Sequence, residues 1–414
     1  MMTAAERDIL RKLAAEYAAI AQKDTEAKKL ERWRDLNSLR QTRPLIWITE
    51  VPWEELQDHP EIAPQCTDEA ARVIENQLRH AIFTAKHYNG DSALEECYYT
   101  PTFLKPADFG VPIQEEVIDR EVGGIKSHHF DTLFATLDDV DKIVPEDPEV
   151  LPLTAAVEET ARAAFDDILP VVWGGIPRQW VTIWDFLSFR MDTQELLMQL
   201  VLEPDLMKAL AKRVLEVQTH YQLKLEEMQL LTVHHGNYRV GSGAMGTIDD
   251  LEVTGRPVKT SDQWGMATAQ IFGSVSPEMH DEFAITYEKE YLKLFKHAYY
   301  GCCEPLHDKA HLLHQIPNLR KVSVSPWCDP GKFVEAVGNK YVISLKPNPA
   351  IMADETFNPA KAEKVLRQQL EPLKGCNVEV VLKDISTICF DWKRLKDWND
   401  MARRVCMEYG ENWY

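Results

Sequence analysis

The sequence predicts an α/β fold built around a parallel sheet. From residue 151 onward, short apolar runs alternate with longer segments of helical periodicity, without the turn signals typical of β-hairpins. Three such runs are ILPVVWGG (168–175), YVISLKPNP (341–349) and VEVVLKD (378–384). This alternation predicts parallel βα units. Periodicity alone does not distinguish a closed barrel from an open, doubly wound sheet.

The composition is that of a globular protein and points to a small-molecule ligand. The 414 residues are 45% hydrophobic and 27% charged, with a formal net charge of −20. This excess of acidic groups repels nucleic acids and anionic membranes, and no basic run offsets it. No apolar stretch is long enough to span a bilayer, and the N-terminus lacks a signal peptide's apolar core. We therefore expect a cytoplasmic protein that binds neither nucleic acid nor membrane and keeps its eight cysteines reduced.

The chain divides into a short N-terminal part and one large domain. Residues 1–43 predict a helical extension, because apolar residues recur there at helical spacing among charged ones. This extension is expected on the outside of the main domain, with a homodimer contact as the alternative. The main domain, residues 44–414, begins with the β-rich run PLIWITEV (44–51). Residues 98–146 are rich in proline, glycine and aromatic residues and predict a long, ordered insertion.

Several motifs follow one another in a characteristic order along the chain. They are WGGIPRQW (173–180) with the helix start LEPDLMKAL (202–210), SDQWGMATAQIFGSVSPEMHDEF (261–283), AYYGCCEPLHD (298–308) with KVSVSPWCDP (321–330), and YVISLKPNPA (341–350). This order resembles the third to seventh strands of the uroporphyrinogen decarboxylase superfamily, over roughly residues 98–410. The resemblance implies a (β/α)₈ TIM barrel with the N-terminal helical extension and the long insertion before the barrel core.

The first strand departs from the true decarboxylases of that superfamily. Those enzymes carry an arginine-rich N-terminal motif that grips the carboxylates of the porphyrinogen, whereas the corresponding segment here reads RPLIWITEVPWEEL (43–56). Its acidic residues Glu50, Glu54 and Glu55 would repel a substrate with many carboxylates. The chain therefore resembles the corrinoid-linked, methyltransferase-like branches rather than the true uroporphyrinogen decarboxylases.

Active sites of parallel barrels lie at the carboxyl ends of the strands, and those ends supply the candidate side chains. The residues expected to act in catalysis are Asp262, Cys303, Glu304 and Asp384. Those expected to bind the substrate are Glu50, Trp264, Trp327 and Asn348. Carboxylates and aromatic rings together suit a pocket that stacks a flat or apolar group and orients it by hydrogen bonds.

Several of these candidates have a purely structural alternative. Asp262 could accept a proton in the pocket, but it could equally cap the turn that follows it. Glu50 could be a surface residue at the end of its strand. Trp264 and Trp327 could fill the core instead of lining the pocket.

The segment around Cys303 invites comparison with zinc methyltransferases of the same superfamily. These carry His-x-Cys at this place and a second cysteine after the eighth strand, and the zinc turns the acceptor thiol into a nucleophilic thiolate. Cys303 matches the first cysteine, but Gly301 replaces the histidine, and the eighth strand ends in Lys383 and Asp384 instead of a cysteine. Two of the three ligands implied by the resemblance are therefore missing.

Other side chains nearby have suitable donor atoms. A Zn²⁺ ion held by Cys303, Glu304 and His307, with Asp384 as a further donor, is one expectation. If the strand persisted, alternation would point Cys302 and Glu304 away from the face of Cys303 unless Pro305 bends the chain. The alternative is a thiol-lined pocket wall without metal, with Glu304 hydrogen-bonded nearby.

The segment VHHGNYRVGSGAMG (233–246) contains several closely spaced glycines, and this pattern predicts a lid over the barrel mouth. It includes the pair His234-His235, for which a solvated or structural role is the simpler interpretation. Its GSGAMG run lacks the following GK[ST] of a phosphate-binding loop.

The resemblance and the thiol–carboxylate cluster favour a methyltransferase-like enzyme. We expect it to act on a small methylated compound in a corrinoid-dependent methyl-transfer system, with a corrinoid (cobalamin) protein as partner. A lyase or decarboxylase on a small carboxylic acid, using Asp262 or Asp384 as acid or base, is one alternative. A non-catalytic ligand-binding barrel is another, since one fold hosts many functions.

Overall fold

A computed structural model describes residues 2–119, 126–233, 238–252, 255–410 and 413–414 of the chain. Its helices are α1 (Ala4–Ala21), α2 (Asp24–Asn37), α3 (Glu69–His87), α4 (Leu153–Phe165), α5 (Ile183–Ser188), α6 (Thr193–Leu202), α7 (Pro204–Glu227), α8 (Pro277–His280), α9 (Thr286–Leu292), α10 (Pro330–Val337), α11 (Pro359–Leu370) and α12 (Lys393–Gly410). Within these described residues, none of the helices combines the length and the apolar character needed to cross a bilayer.

The strands are short, as is usual for an α/β fold. They are β1 (Leu45–Ile48), β2 (Tyr98–Thr100), β3 (Glu115–Asp119), β4 (Lys126–Phe130), β5 (Val171–Trp173), β6 (Arg178–Val181), β7 (Trp264–Ala267), β8 (His297–Tyr300), β9 (Leu319–Val324), β10 (Val342–Leu345) and β11 (Asn377–Leu382).

Seven of these strands form one sheet in which every neighbouring pair is parallel. Their order is β1-β11-β10-β9-β8-β7-β6. Strands β2 and β5 form a separate parallel pair, while β3 and β4 form an antiparallel pair inside the 98–146 insertion. Strands β8, β10 and β11 are buried along their whole length, as expected of a parallel sheet covered on both faces. The predicted α/β class with a parallel sheet is confirmed.

The N-terminal region consists of two helices, α1 and α2. Thr3 caps α1, because its hydroxyl accepts a hydrogen bond from the Glu6 backbone N–H while the Glu6 carboxylate accepts one from the Thr3 backbone N–H. The apolar face of α1 joins α3, α4, β2 and β5 in one hydrophobic cluster. Arg11 adds a bidentate ion pair with Asp167, just beyond α4.

A buried loop, residues 238–246, packs against one face of the sheet, and we call it the inner loop. Tyr238 and Val240 of this loop join Trp264, Met266 and Tyr299 in one hydrophobic cluster. The described part of the predicted lid (233–246) therefore contributes to the core, and that expectation is wrong for residues 238–246. The pair His234-His235 lies outside the described residues.

Candidate functional site

Two cysteines, two lysines and an aspartate converge where three strands end. Cys302 and Cys303 follow β8, Lys346 follows β10, and Lys383 and Asp384 follow β11. The Lys383 Nζ atom lies 3.7 Å from Cys302 Sγ and 2.6 Å from Asp384 Oδ2. Cys303 Sγ lies 3.6 Å from Cys302 Sγ and 3.9 Å from Asp384 Oδ2. We call these five residues the thiol cluster.

The backbone of Gly301 makes this arrangement possible. Its φ of +93° lies in the region that favours glycine, and it turns the chain directly after β8. A Cβ atom at this position would lie 2.8 Å from Leu306 Cδ1 and 3.1 Å from Ser323 Cβ, so a side chain has no room. The Ser323 hydroxyl donates to the Cys302 carbonyl at 2.6 Å and fixes the turn. The turn ends the strand alternation, which explains why Cys302 faces Lys383 and not the opposite side.

Charges around the thiols set their protonation. The pKa of Cys302 is lowered to about 7, because its sulfur accepts a hydrogen bond from Cys303 and lies near the ammonium groups of Lys346 and Lys383. The same hydrogen bond raises the pKa of Cys303, which keeps its proton. Burial alone would lower the pKa of Lys383, but the charges of Cys302 and Asp384 outweigh it and raise that pKa. At pH 7 Cys302 is therefore partly ionised beside a protonated Lys383.

Lys346 lies deeper, beneath the two thiols. Its Nζ atom donates to Ser242 Oγ at 2.7 Å, to Tyr299 Oη at 3.0 Å and to the hydroxyl of Ser323. Full burial lowers the pKa of Lys346 to about 8. Because its hydrogen bonds connect the inner loop to the strand ends, Lys346 links the core of the sheet to the thiol cluster.

Glu50 extends the site from the thiol cluster to the first strand. Its Oε2 accepts the Asp384 backbone N–H at 2.8 Å, and its carboxylate pairs with the Arg239 guanidinium. Burial would raise the pKa of Glu50, but Arg239 and the other donors lower it overall. Glu50 also lines a cavity of about 340 Å³ beside β1, together with Trp47 and Trp53. Asp384 and Glu50 both have a φ of +55°, a strained conformation that tends to occur at functional sites.

Glu304 supports the cysteine turn from within the protein. Its carboxylate accepts hydrogen bonds from Thr268 Oγ1 at 3.0 Å, from the Ala269 N–H at 3.2 Å and from the Cys302 N–H at 2.8 Å. It is 1% exposed, and these hydrogen bonds hold it within the protein. The structure therefore corrects the expectation that Glu304 is a catalytic or metal-binding group in the pocket: it positions the backbone of Cys302.

The expected zinc ligands do not come together. The His307 Nδ1 atom accepts the Asp329 N–H at 3.3 Å, and its Nε2 lies 3.5 Å from Asp308 Oδ2. Glu304 points elsewhere. The neighbours of Cys303 are the Cys302 thiol and the Asp384 carboxylate, and this carboxylate already contacts Lys383. Throughout the described part of the chain, no three His, Cys, Asp or Glu side chains form a group that could hold a metal. The donor set Cys303, Glu304 and His307 thus does not fit a Zn²⁺ ion.

Asp262 and Trp264 lie at the wrong end of their strand for a role at the carboxyl edge. Asp262 precedes β7 and forms a bidentate ion pair with Arg256, at 2.7 and 2.8 Å, besides accepting the Lys259 N–H. Trp264 is the first residue of β7, fully buried, and donates to the Gly246 carbonyl at 2.9 Å. The expected positions of both residues are wrong. Trp264 is the core ring of its alternative, whereas Asp262 accepts from the turn that precedes it and not from the one that follows.

Trp327 and Asn348 follow β9 and β10, at the same edge as the thiol cluster. The Trp327 side chain is largely exposed, at 68%. Asn348 caps the short helical turn Pro349–Met352, because its Oδ1 accepts the Ala350 N–H at 3.0 Å. Substrate binding by these two residues stays a prediction.

The sequence pattern also indicates two site residues, Lys346 and Lys383, that the prediction of catalytic and binding residues leaves out. Lys346 and Lys383 each come directly after an apolar run, in VISLK and VEVVLK, where a lysine must be buried or face a site. Strand alternation predicts that Cys302 faces away from Cys303, but the turn at Gly301 interrupts this alternation.

Comparison with known proteins gives a fold relationship. No family model and no curated protein sequence matches the chain. Among solved structures, a methyltransferase from Methanosarcina mazei is similar, with a TM-score of 0.53 and 11% sequence identity, over 91% of this chain and 98% of the other. At this identity the similarity shows a shared fold.

Proposed function

We propose that this chain is a methyltransferase-like enzyme of the uroporphyrinogen decarboxylase superfamily with a (β/α)₈ barrel. In this proposal the β2–β5 pair closes the sheet between its edge strands β1 and β6. Strands β5 and β6 are separated only by residues 174–177 and count as one interrupted strand, which makes eight. The fold shared with the Methanosarcina mazei methyltransferase over nearly the whole of both chains supports this assignment.

The observation that carries the proposed activity is the charged thiol cluster at the carboxyl ends of β8, β10 and β11. We infer that the enzyme acts on a small methylated compound in a corrinoid-dependent system. A corrinoid carried by a partner protein would supply or accept the methyl group. The residues of this chain then have to hold the methylated compound and stabilise the charge that develops on it.

Lys383 is suited to that task. An ammonium group has three N–H donors, and those of Lys383 contact Cys302 Sγ and Asp384 Oδ2, which leaves one for the substrate. In the transfer, the bond between the methyl carbon and its heteroatom breaks while a bond from carbon to the acceptor forms. The electron pair of the broken bond stays on the heteroatom, where the Lys383 N–H stabilises it. Cys302 and Asp384 hold the lysine in place and keep it charged.

Methyl transfer to reduced cobalamin tests this proposal. The purified chain is mixed with cob(I)alamin and with a methoxylated, an N-methylated or an S-methylated compound, and formation of methylcobalamin is followed by absorbance. We expect transfer from one of these classes, and a rate about 10²-fold lower for Lys383→Met, because one preorganised donor is lost. Lys396→Met is the matched control, since Lys396 lies exposed on α12, paired with Asp400.

Two outcomes would overturn the proposal. One is a folded protein that transfers a methyl group from none of the three classes. The other is release of carbon dioxide from a small carboxylic acid without methyl transfer, which would indicate the decarboxylase alternative.

A further inference from the structure

Arg178, the first residue of the edge strand β6, carries a positive charge that is not neutralised within the protein. Its Nη1 atom is enclosed and has no hydrogen-bond partner. Among the residues that the structure describes, no carboxylate forms an ion pair with it. The residue as a whole is only partly buried.

An enclosed guanidinium without a partner is costly. Burying an unpaired charge destabilises a protein by several kcal/mol, and arginine does not escape the cost by losing its proton. Burial lowers the pKa of Arg178 to about 10, with the nearby charge of Arg239 acting in the same direction, so it stays charged at neutral pH. Such a group is expected where an anionic ligand completes the site.

Trp180 supplies a second donor on the same side of β6. Residues two apart in a strand face the same way, and the indole Nε1 of Trp180 is likewise buried without a hydrogen-bond partner. Arg178 and Trp180 are in register with Trp264 and Met266 of β7, which pack against the inner loop. Two unsatisfied donors on one face match a group with two acceptor oxygens and one negative charge.

The surroundings connect these donors to the thiol cluster. The charge of Arg239 helps to lower the pKa of Arg178, and Arg239 itself is paired with Glu50. Glu50 in turn accepts the backbone N–H of Asp384, a member of the cluster. Glu50 already neutralises Arg239, so Arg178 is the one of these two arginines that has no carboxylate partner among the described residues.

We propose that Arg178 and Trp180 bind the carboxylate of a small ligand on the side of β6 that lies near the ion pair of Arg239 and Glu50. This deepens the proposed function by naming its substrate class, a methylated compound that bears a carboxylate, and it rests on that function only for the ligand's role as substrate. A carboxylate suits this pair of donors, because one oxygen can accept from the guanidinium and the other from the indole N–H. In a protein with a net charge of −20, such a local cation is needed to admit an anion.

Binding of matched neutral and charged probes tests the proposal without any methyl transfer. Benzoate and benzamide have nearly the same shape, and only benzoate carries the charge. By titration calorimetry we expect the full chain to bind benzoate about 10- to 100-fold more tightly than benzamide, and Arg178→Met to abolish the difference. Arg256→Met is the matched control, since Arg256 is a surface arginine already paired with Asp262, and it should keep the preference.

Further variants and probes make the test decisive. Arg178→Met should leave the melting temperature of the ligand-free chain unchanged or raised, because it removes an unpaired charge, whereas a purely structural arginine would lower it. If this variant does not fold, Arg178→Lys and Trp180→Phe replace it, and each should weaken benzoate binding. The carboxylate site is refuted if Arg178→Met still prefers benzoate to benzamide, or if the chain binds inorganic phosphate more tightly than benzoate. A chain that binds benzoate but transfers no methyl group would refute the proposed function alone.

Discussion

Lys321 and Glu379 form an ion pair that water does not reach. The Lys321 Nζ atom lies 2.7 Å from Glu379 Oε2, and both side chains are fully buried. The two residues stand on β9 and β11, on either side of β10. Both also hold the inner loop, since Glu379 accepts the Ala244 N–H at 3.0 Å and Lys321 donates to the Met245 carbonyl at 2.7 Å. The pair therefore ties three strands to the loop beneath the thiol cluster.

Removing one partner of this pair should destabilise the protein strongly. Glu379→Leu leaves the Lys321 ammonium buried without a counter-charge, and we expect a loss of about 3–5 kcal/mol in the free energy of unfolding, measured by urea denaturation. The double variant Lys321→Met/Glu379→Leu should lose less than Glu379→Leu alone, because no charge is left unpaired. If the loss in the double variant equals the sum of the losses in the two single variants, the two residues are not coupled.

The lowered pKa of Cys302 predicts an unusual order of thiol reactivity. Since this pKa is about 7, below the ordinary value of about 8.5, Cys302 is half ionised at pH 7 while Cys303 remains protonated. Iodoacetamide at pH 7 should therefore label Cys302 before Cys303, although Cys303 is the more exposed of the two. Tandem mass spectrometry of the shared peptide locates the label, and preferential labelling of Cys303 would contradict the assignment.

Removing the neighbouring charge should slow this labelling. Lys383→Met takes away an ammonium that stabilises the thiolate, so the pKa of Cys302 rises. A rise of about one unit would cut the thiolate fraction at pH 7 about fivefold, and the labelling rate with it. Lys374→Met, which changes an exposed lysine paired with Glu371, should leave the rate unchanged.

The parallel sheet could be predicted because its strands are buried on both faces. Such strands form continuous apolar runs, and the runs containing β10 and β11 lie where the sequence predicts them. The sequence could not reveal where the chain between α7 and β7 goes. Its glycines are compatible with an exposed lid, but Gly243 packs within the core against Tyr299, a contact between residues far apart in the sequence.

The site was harder to predict because single backbone conformations decide it. The direction of Cys302 depends on the positive φ of Gly301. Asp262 is excluded because β7 begins two residues after it, whereas the motif predicts Asp262 at the end of a strand. Asp384 was predicted as a residue of this edge, and its partner Lys383 was not. Long-range contacts such as Glu50 with Arg239 leave no local pattern from which they could be inferred.

Filling the space at Gly243 should displace the inner loop. A Cβ atom there would lie 2.6 Å from the Tyr299 ring and even closer to the Glu379 carboxylate, so one of these buried groups must move. For Gly243→Ala we expect a loss of about 1–3 kcal/mol or more in the free energy of unfolding, as for other overpacked cores. Gly273→Ala is the control, because its nearest neighbour, Pro305, would lie at 3.7 Å, and its effect should stay within about 0.5 kcal/mol. Equal effects of the two substitutions would contradict the close packing of the loop.

Glu288 introduces a pH dependence of the stability of the fold. Its side chain is fully buried, Oε2 accepts the Tyr300 hydroxyl at 2.7 Å, and Oε1 has no partner. Burial raises the pKa of Glu288 to about 8, so the carboxyl is neutral at pH 7. His280, which contacts the same tyrosine hydroxyl at 2.8 Å, is also neutral, because burial lowers its pKa to about 3.

The variant Glu288→Gln isolates this effect. In the unfolded chain a glutamate has a pKa of about 4.3, and in the folded chain this pKa is higher. Below about pH 4.3 the carboxyl is protonated in both states, so the raised pKa does not change the free energy of unfolding. As the pH rises towards 8, the unfolded chain ionises first and gains free energy, so the native chain becomes less stable relative to it. Glu288→Gln cannot ionise, and all other titrating groups cancel in the comparison. Urea unfolding of both proteins should therefore show similar stability near pH 4 and an advantage for the variant of a few kcal/mol at pH 8, levelling off above that. A difference that does not change with pH would mean that Glu288 is already ionised in the folded chain.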